Sequence, residues 1–359
     1  MSHHRRFTGS WRRHSRLLAA AAVVQAAAVA AIAAPAAQAD TSELAASSPA
    51  GLIQSTGNLY WTANSRGLIF GGAKRANRQL PLDYIGTVYR AAKTNSPGQE
   101  TVLYQEHSAA SLNFGAIKWA QVGGQFYGYF VVNYPSQGIS KIKRVSLAGG
   151  AAVTLGKSPA QIGDRELATD GTDLYWADAQ GIREMGINGG TIKTLAKGTT
   201  FQNVSLDASY VYYTSLVTGP DGVPEGNLDR VSKAGGKPAI VVATPDAGIE
   251  SLDTLGLPVF TEYYLGLTNG TVEEGTTLGG ISDVLQAESV GTEITSISRD
   301  ATNGDILWGQ DDFLDGLDLA VDFHDGTTGA VATDAPPLFV QGDGGAMYWG
   351  DQHLEKTTL

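Results

Sequence analysis

The stretch Asp170-Gly-Thr-Asp-Leu-Tyr-Trp-Ala-Asp178 is followed by Gly181-Ile-Arg-Glu-Met-Gly-Ile-Asn-Gly-Gly190 and Thr191-Ile-Lys-Thr-Leu195. An Asp-Gly turn leads into an alternating strand with an aromatic pair, then a second alternating strand, a Gly-Gly turn and a further strand. Asp, Asn and Gly tolerate the positive φ that tight hairpin turns require, so the segment predicts consecutive antiparallel strands. The same unit recurs along the chain. Its aromatic or apolar pairs fall at Tyr60-Trp61, Phe126-Tyr127, Tyr175-Trp176, Tyr212-Tyr213, Val259-Phe260, Leu307-Trp308 and Tyr348-Trp349, with spacings from 37 to 67 residues. The third strand and its turn return as Ile142-Lys-Arg-Val-Ser-Leu-Ala-Gly-Gly150, Leu228-Asp-Arg-Val-Ser-Lys-Ala-Gly-Gly236 and Val272-Glu-Glu-Gly-Thr-Thr-Leu-Gly-Gly280.

Units of about 45 residues with four short strands each are the arithmetic of a β-propeller. One blade cannot bury both of its faces, so blades stack around an axis with the bulky second-strand side chains between them. The expected fold is therefore all-β, a propeller of four-stranded antiparallel blades, with seven blades favoured and six as the alternative. The last unit supplies only three strands of its own. Residues 41–48 are expected to provide the fourth and leave no open sheet edge.

These residues resemble the YWTD repeats of lipoprotein-receptor propellers and the TolB-like secreted bacterial propellers. The likeness spans residues 50–359 and is sharpest over 164–198. Those families are typically six-bladed and many of their members are binding modules. The resemblance implies fold and carries no catalytic residue onto this chain.

Composition narrows the function. The 359 residues include no Cys, which excludes disulfides, thiolate metal sites and a cysteine nucleophile. Residues 1–16 hold five Arg and no acid, Leu17–Ala34 is Ala/Val-rich, and Ala37-Gln-Ala39 precedes Asp40. A basic segment, an apolar run and a small-residue cleavage site predict a signal peptide over 1–39 and a single propeller domain over 40–359. The expected destination is extracellular or the cell envelope, with no membrane span after cleavage. Without the leader, 20 basic residues face 36 acidic ones, a net charge of −16. Such a surface repels phosphate backbones, so nucleic acid is not an expected partner.

Insertions between second and third strands fall at Asn64–Asp83, Tyr134–Ser140, Leu216–Asn227 and Gln310–Leu319. All belong to one loop class and so project from one face of the disc, where a binding site is expected. The first carries Arg66, Lys74, Arg75 and Arg78; the last carries Asp311, Asp312, Asp315 and Asp318. The primary expectation is a non-enzymatic propeller that binds a protein or glycan through this face, or docks as a subunit on a larger envelope assembly. The acidic loop has oxygens for Ca²⁺ but lacks an EF-hand pattern, and a solvated loop is the commoner explanation.

A second reading places a metal-dependent, lactonase-like hydrolase or lyase at the axis. Counting four residues back from each turn Asp or its counterpart selects Gly51, Lys118, Glu166, Asn203, Ile249, Ser296 and Phe339. Only Glu166 and Asn203, with Glu250 one residue out of register, suit a divalent cation, so no resident cofactor is expected. There is no Gly-x-Ser-x-Gly elbow, and Ser140-Lys-Ile-Lys143 matches Ser-x-x-Lys in a strand-like segment. His107, His324 and His353 stand singly, with no paired acid and nucleophile nearby in sequence.

Overall fold

The computed structural model describes residues 41–45, 49–55, 57–68, 82–94, 96–163, 165–218, 224–244, 247–253, 259–264, 270–275, 281–287, 292–300, 302–312, 316–322, 328–333, 339–344, 346–350 and 354–358. All lie in one compact unit, Ala39–Leu359; the expected signal peptide lies outside the described residues.

Among the described residues the strands form seven four-stranded antiparallel sheets. Sheet one is Pro49–Ser55, Asn58–Leu68, Leu82–Ala92 and Thr101–Ser108; sheet two is Asn113–Val122, Gln125–Tyr134, Ile139–Ser146 and Val153–Ser158. Sheet three is Leu167–Thr169, Asp173–Asp178, Gly181–Gly186 and Lys193–Ala196; sheet four is Phe201–Leu206, Tyr210–Thr218, Pro224–Ser232 and Ala239–Thr244. Sheet five is Ala247–Asp253, Val259–Tyr264, Gly270–Gly275 and Ile281–Ala287; sheet six is Thr292–Arg299, Ile306–Asp312, Gly316–Asp322 and Thr328–Thr333. Sheet seven is Phe339–Gly342, Ala346–Gly350 and Leu354–Thr358, with Thr41–Ala45 as its outermost strand. The expected closure is thus present, pairing Thr41 with Thr357 and Glu43 with Glu355.

The first strand of each sheet contacts the first strand of the next, and Phe339–Gly342 contacts Pro49–Ser55, so the sheets close a ring. Apolar layers fill the spaces between neighbours. Trp61 packs with Tyr348 and Leu354 between sheets seven and one; Phe130 and Val132 pack with Ile53 and Val88 between one and two. Trp176 meets Tyr129 and Val131, and Tyr175 and Ala177 meet Val211 and Tyr213, on the two faces of sheet three. The adjacent Tyr and Trp of each aromatic pair point to opposite faces of their sheet, as the two-residue strand period requires. One motif therefore supplies both flanking layers.

The turn Asp and the following Tyr explain the recurring pattern. Asp170 accepts the backbone N–H groups of Thr172 and Asp173 at 3.0 and 2.9 Å on one oxygen and the Tyr175 hydroxyl at 3.1 Å on the other. Asp207 repeats the arrangement with Ser209, Tyr210 and the Tyr212 hydroxyl. A cation from the next sheet completes the first of these: Lys233 donates to Asp170 at 3.0 Å and lies 5.5 Å from the Tyr175 ring centre. Lys93 of sheet one is placed alike on Asp343 and Tyr348 of sheet seven. Burial pushes the Asp170 carboxyl up, but the two amides and the Lys233 ammonium outweigh it and hold the group below its ordinary value. A lowered carboxylate pKa adds stability that is present above the unfolded-state value near 4 and is lost as pH falls below it. We expect Lys233→Met to cost about 1 kcal/mol at pH 7. The gap to the parent should shrink as acid protonates Asp170, measured by urea unfolding at pH 7 and pH 3. A gap that stays constant with pH would show that Lys233 acts through packing alone.

Two asparagines clasp neighbouring sheets in the manner of a backbone ladder. Asn64 donates to Phe114 O at 2.8 Å and accepts from Phe114 N at 2.6 Å. Asn133 does the same to Ile162 O and N at 2.9 and 3.3 Å. The outermost strands carry a repeated irregularity that the period of the sequence does not reveal. Val88 and Tyr89 pair with Tyr104 and Val102, so Leu103 bulges out, and Leu155, Leu195, Val241 and Leu285 occupy the same place in sheets two to five. A bulge twists and interrupts a free sheet edge, which blunts it against pairing with another chain.

Candidate binding face

The strand ladders turn most of the expected loops into hairpin arms. In sheet three the second and third strands are each 6 residues long, but in sheet one they are 11 and in sheet four 9. Three to five extra residues extend an arm by roughly 10–17 Å at 3.3 Å per residue. Pairing continues to Leu68 opposite Leu82 and Thr218 opposite Pro224, leaving 69–81 and 219–223 outside the described residues. In sheet six Asp311 pairs with Leu317 and Asp312 with Gly316, so the expected loop Gln310–Leu319 is ladder except for 313–315. Asp is a poor strand former, which is why the acidic run reads as loop; the hairpin ladder overrides that preference. In sheet two the insertion is a 3-10 turn over Pro135–Gln137 that ends at Gly138 in the left-handed region.

Of the expected binding residues, Arg66 stands opposite Tyr84 in the first arm, and Asp318 stands opposite Gln310 in the sixth beside Asp311 and Asp312. Lys74, Arg75, Arg78 and Asp315 lie outside the described residues. Sheet seven separates the basic arm from the acidic one, since its first strand contacts both neighbours. The arm of sheet four adds a feature that loop counting missed. Leu216 and Val217 are adjacent, 40% and 41% exposed, and stand opposite Gly226 and Glu225. Two neighbouring strand residues point to opposite sides, so both flanks of that arm are apolar and open to solvent.

Between sheets one and two a polar cluster is locked. The Glu106 carboxylate accepts from the Lys143 ammonium, the Tyr134 hydroxyl and the Tyr104 hydroxyl. Burial pushes Glu106 up, but Lys143 and the two hydroxyls outweigh it and hold the carboxyl low; burial lowers Lys143, yet Glu106 and Tyr104 hold it high. Both charges persist at neutral pH, so the cluster is a strut between sheets and holds no free base. Lys143 is thereby engaged, and Ser140 donates to Ala160 O at 2.9 Å and accepts from Ile162 N at 3.1 Å, so the Ser-x-x-Lys match is structural. His107 is exposed with its ring 3.0 Å from Gln105; His324 and His353 lie outside the described residues.

The three axial candidates all sit where first strands depart from regular pairing. Asn203 has φ 47° and bulges between the pairs of Gln202 and Ser205; its amide donates to Thr214 at 3.0 Å. Glu250 occupies the bulge between Ile249 and Ser251. Glu166 precedes its strand, and its carboxylate is turned back onto the Gly163 N–H. Gly115 and Ala116 in sheet two and Thr295 in sheet six bulge at related places; a count back from the turn reaches Lys118 and Ser296 before these irregularities but crosses them in sheets four and five. Among the described residues no group of three or more His, Asp and Glu gathers as a metal site. Nor is any described helix long and apolar enough to cross a membrane.

No protein-family model and no curated protein matches the chain. Solved structures do match it in fold. YCF48 bound to a D1 peptide gives a TM-score of 0.57 at 9% identity, covering 91% of this chain and 99% of that one. Saccharomyces cerevisiae Sqt1 gives 0.53 at 12% identity, covering 90% and 98%. A Mycobacterium tuberculosis puromycin-hydrolyzing peptidase gives 0.54 at 13% identity, covering 89% of this chain but only 53% of the peptidase, so this chain spans about half of that enzyme's length. These likenesses establish the propeller fold of four-stranded antiparallel blades.

Proposed function

We propose that the protein is an exported β-propeller that binds a partner protein through the face carrying the hairpin arms. The reading takes each sheet as one blade of a seven-bladed ring, supported by the cyclic contacts of the first strands. The turn Asp–Tyr hydrogen bond supports the YWTD-like assignment of the repeats. Export rests on the leader-like composition of residues 1–39. The observation that carries the binding face is the exposed pair Leu216 and Val217 on a projecting arm. Two adjacent aliphatic side chains open to solvent on a projecting arm suit burial in the core of an interface. YCF48 with its bound peptide is one propeller of matching fold that holds a protein ligand.

Leu216→Glu combined with Val217→Glu should abolish retention of the partner from the native cell envelope or medium. Because both side chains are already exposed, unfolding stability should change by less than about 0.5 kcal/mol. Retention undiminished in the double variant would place the site elsewhere. A glycan is the second reading, favoured by another feature: Trp119 and Phe126 are 38% and 46% exposed with ring centres 5.6 Å apart. Their hairpin turns at the opposite face of the disc from the arms, so Trp119→Ala separates the two readings.

A further inference from the structure

In sheets one, three, four and seven the second strand begins two residues before a buried tyrosine: Asn58 before Tyr60, Asp173 before Tyr175, Tyr210 before Tyr212 and Ala346 before Tyr348. The equivalent residue of sheet two is Tyr129, which stands opposite Arg144 of the third strand as Tyr60 stands opposite Arg90 and Tyr212 opposite Arg230. There the strand begins at Gln125, four residues earlier. The main-chain bonds agree. Lys93, Ile187 and Lys233 donate to Gly57, Thr172 and Ser209 at the hairpin connections, whereas Leu147 donates to Phe126, which is still in the ladder opposite Gln121. The first hairpin of sheet two is thus two rungs longer than its counterparts, an extension of roughly 7 Å at 3.3 Å per residue. It also forgoes an anchor: Ala120 takes the place held by Asp170 and Asp207, so Tyr129 lacks the carboxylate that receives the Tyr175 and Tyr212 hydroxyls.

Gln121 stands opposite Phe126, and Trp119 lies two residues before Gln121, so the three side chains share one flank of this hairpin. Trp119 faces Gly128, which has no side chain to cover the indole. The two rings meet at 5.6 Å between centres, tilted by 57°, and both remain open to solvent. Among the described residues no hydrogen bond engages the indole N–H or the Gln121 amide. No charged residue stands between Lys118 and Lys141, and Gln121, Gly123, Gly124 and Gln125 are all exposed. A charged ligand would find no counter-charge on this tip. A bilayer would strip water from two amides and an indole N–H and give them no partner in return. A neutral sugar suits both halves of the surface: its C–H faces stack on the rings, and its hydroxyls pair with the amides and the indole N–H. Stacking needs a pyranose face free of axial hydroxyls, which a β-linked glucan presents on both sides.

We propose that the extended hairpin of sheet two binds a neutral β-linked glucan, with Trp119 and Phe126 stacking on its sugar rings and Gln121 bonding its hydroxyls. The proposal rests on the glycan reading above and names the ligand class. The probe is cellohexaose, titrated into the protein by calorimetry, with acrylamide quenching of tryptophan fluorescence in parallel. Among the described tryptophans Trp61, Trp176, Trp308 and Trp349 are buried, so Trp119 dominates the quenchable signal. Saturating cellohexaose should lower the quenching constant at least twofold. Trp119→Ala and Phe126→Ala should each weaken binding at least tenfold, and Gln121→Ala at least threefold. All three side chains are exposed, so these variants should fold, and the Leu216→Glu, Val217→Glu double variant should bind as the parent does. No saturable binding of cellohexaose, or undiminished affinity in Trp119→Ala, would overturn the proposal. Equal, Trp119-dependent binding of hexagalacturonate would overturn the neutral ligand class but keep the glycan reading. Failure of every oligosaccharide, neutral or charged, would remove that reading as well. A protein captured by the parent but not by Trp119→Ala, with no sugar bound, would assign the tip to a protein instead.

Discussion

Trp176→Ala lowers the unfolding free energy by about 3–5 kcal/mol, as large buried aromatic truncations do. The indole is fully buried among Tyr129, Val131, Leu167 and Met185 at the junction of sheets two and three. Its Nε1–H donates to Asp178 at 3.1 Å, and the same carboxylate oxygen accepts the Ser158 hydroxyl at 2.8 Å. Removal therefore empties the layer between two sheets and takes one donor from a buried acid. Urea unfolding monitored by far-UV circular dichroism should show a lowered midpoint. Trp119→Ala, at a 38% exposed site, is the control and should cost less than about 1 kcal/mol. Comparable losses in the two variants would mean that the inter-sheet layer does not dominate stability.

Gly181→Ala is expected to cost about as much, roughly 3–5 kcal/mol, for a different reason. Gly181 follows the two-residue connection Ala179-Gln180 and has φ +133°, a conformation L side chains rarely adopt. A Cβ there would stand 1.9 Å from the Ala196 carbonyl oxygen, which belongs to the backbone of the adjacent strand and has no rotamer to change. Backbone strain of about 1–3 kcal/mol is thus joined by an overpacking cost of similar size. Gly171→Ala isolates the first contribution, because Gly171 has φ +86° with open space around it. The Gly181 variant should unfold at clearly lower urea than the Gly171 variant. Coincident midpoints would show that the strand relaxes away from the clash.

The strand pattern was legible because it is local. An alternating run around Leu174-Tyr-Trp176 reads the same in any tertiary setting, and the Gly-Gly pairs at 149–150, 189–190 and 235–236 all adopt the same positive-φ turn. The closing strand over 41–45 was also foreseeable, since the last unit lacked a fourth strand and an open edge is unfavourable. The arms were only half legible. Asn64 reads as the start of an irregular insertion because Asn favours turns, but it sits in a continuing ladder and clasps Phe114, 50 residues away. The axial register was legible only in part, for a physical reason: a bulge adds a residue without disturbing composition, so in sheets four and five the count from the turn crosses irregular pairing at Asn203 and Glu250.

Strand period, turn chemistry and aromatic spacing depend on neighbours within one unit, so repeated four-stranded antiparallel units can be read from the chain alone. Where charge and apolar surface become available is set by the fold as a whole. The Lys93–Asp343 ion pair joins residues 250 apart, and Leu216 and Val217 stand 40% and 41% exposed on the arm of sheet four. Solvation of a side chain is set by everything that surrounds it, and around a closed ring most of those surroundings come from distant parts of the chain.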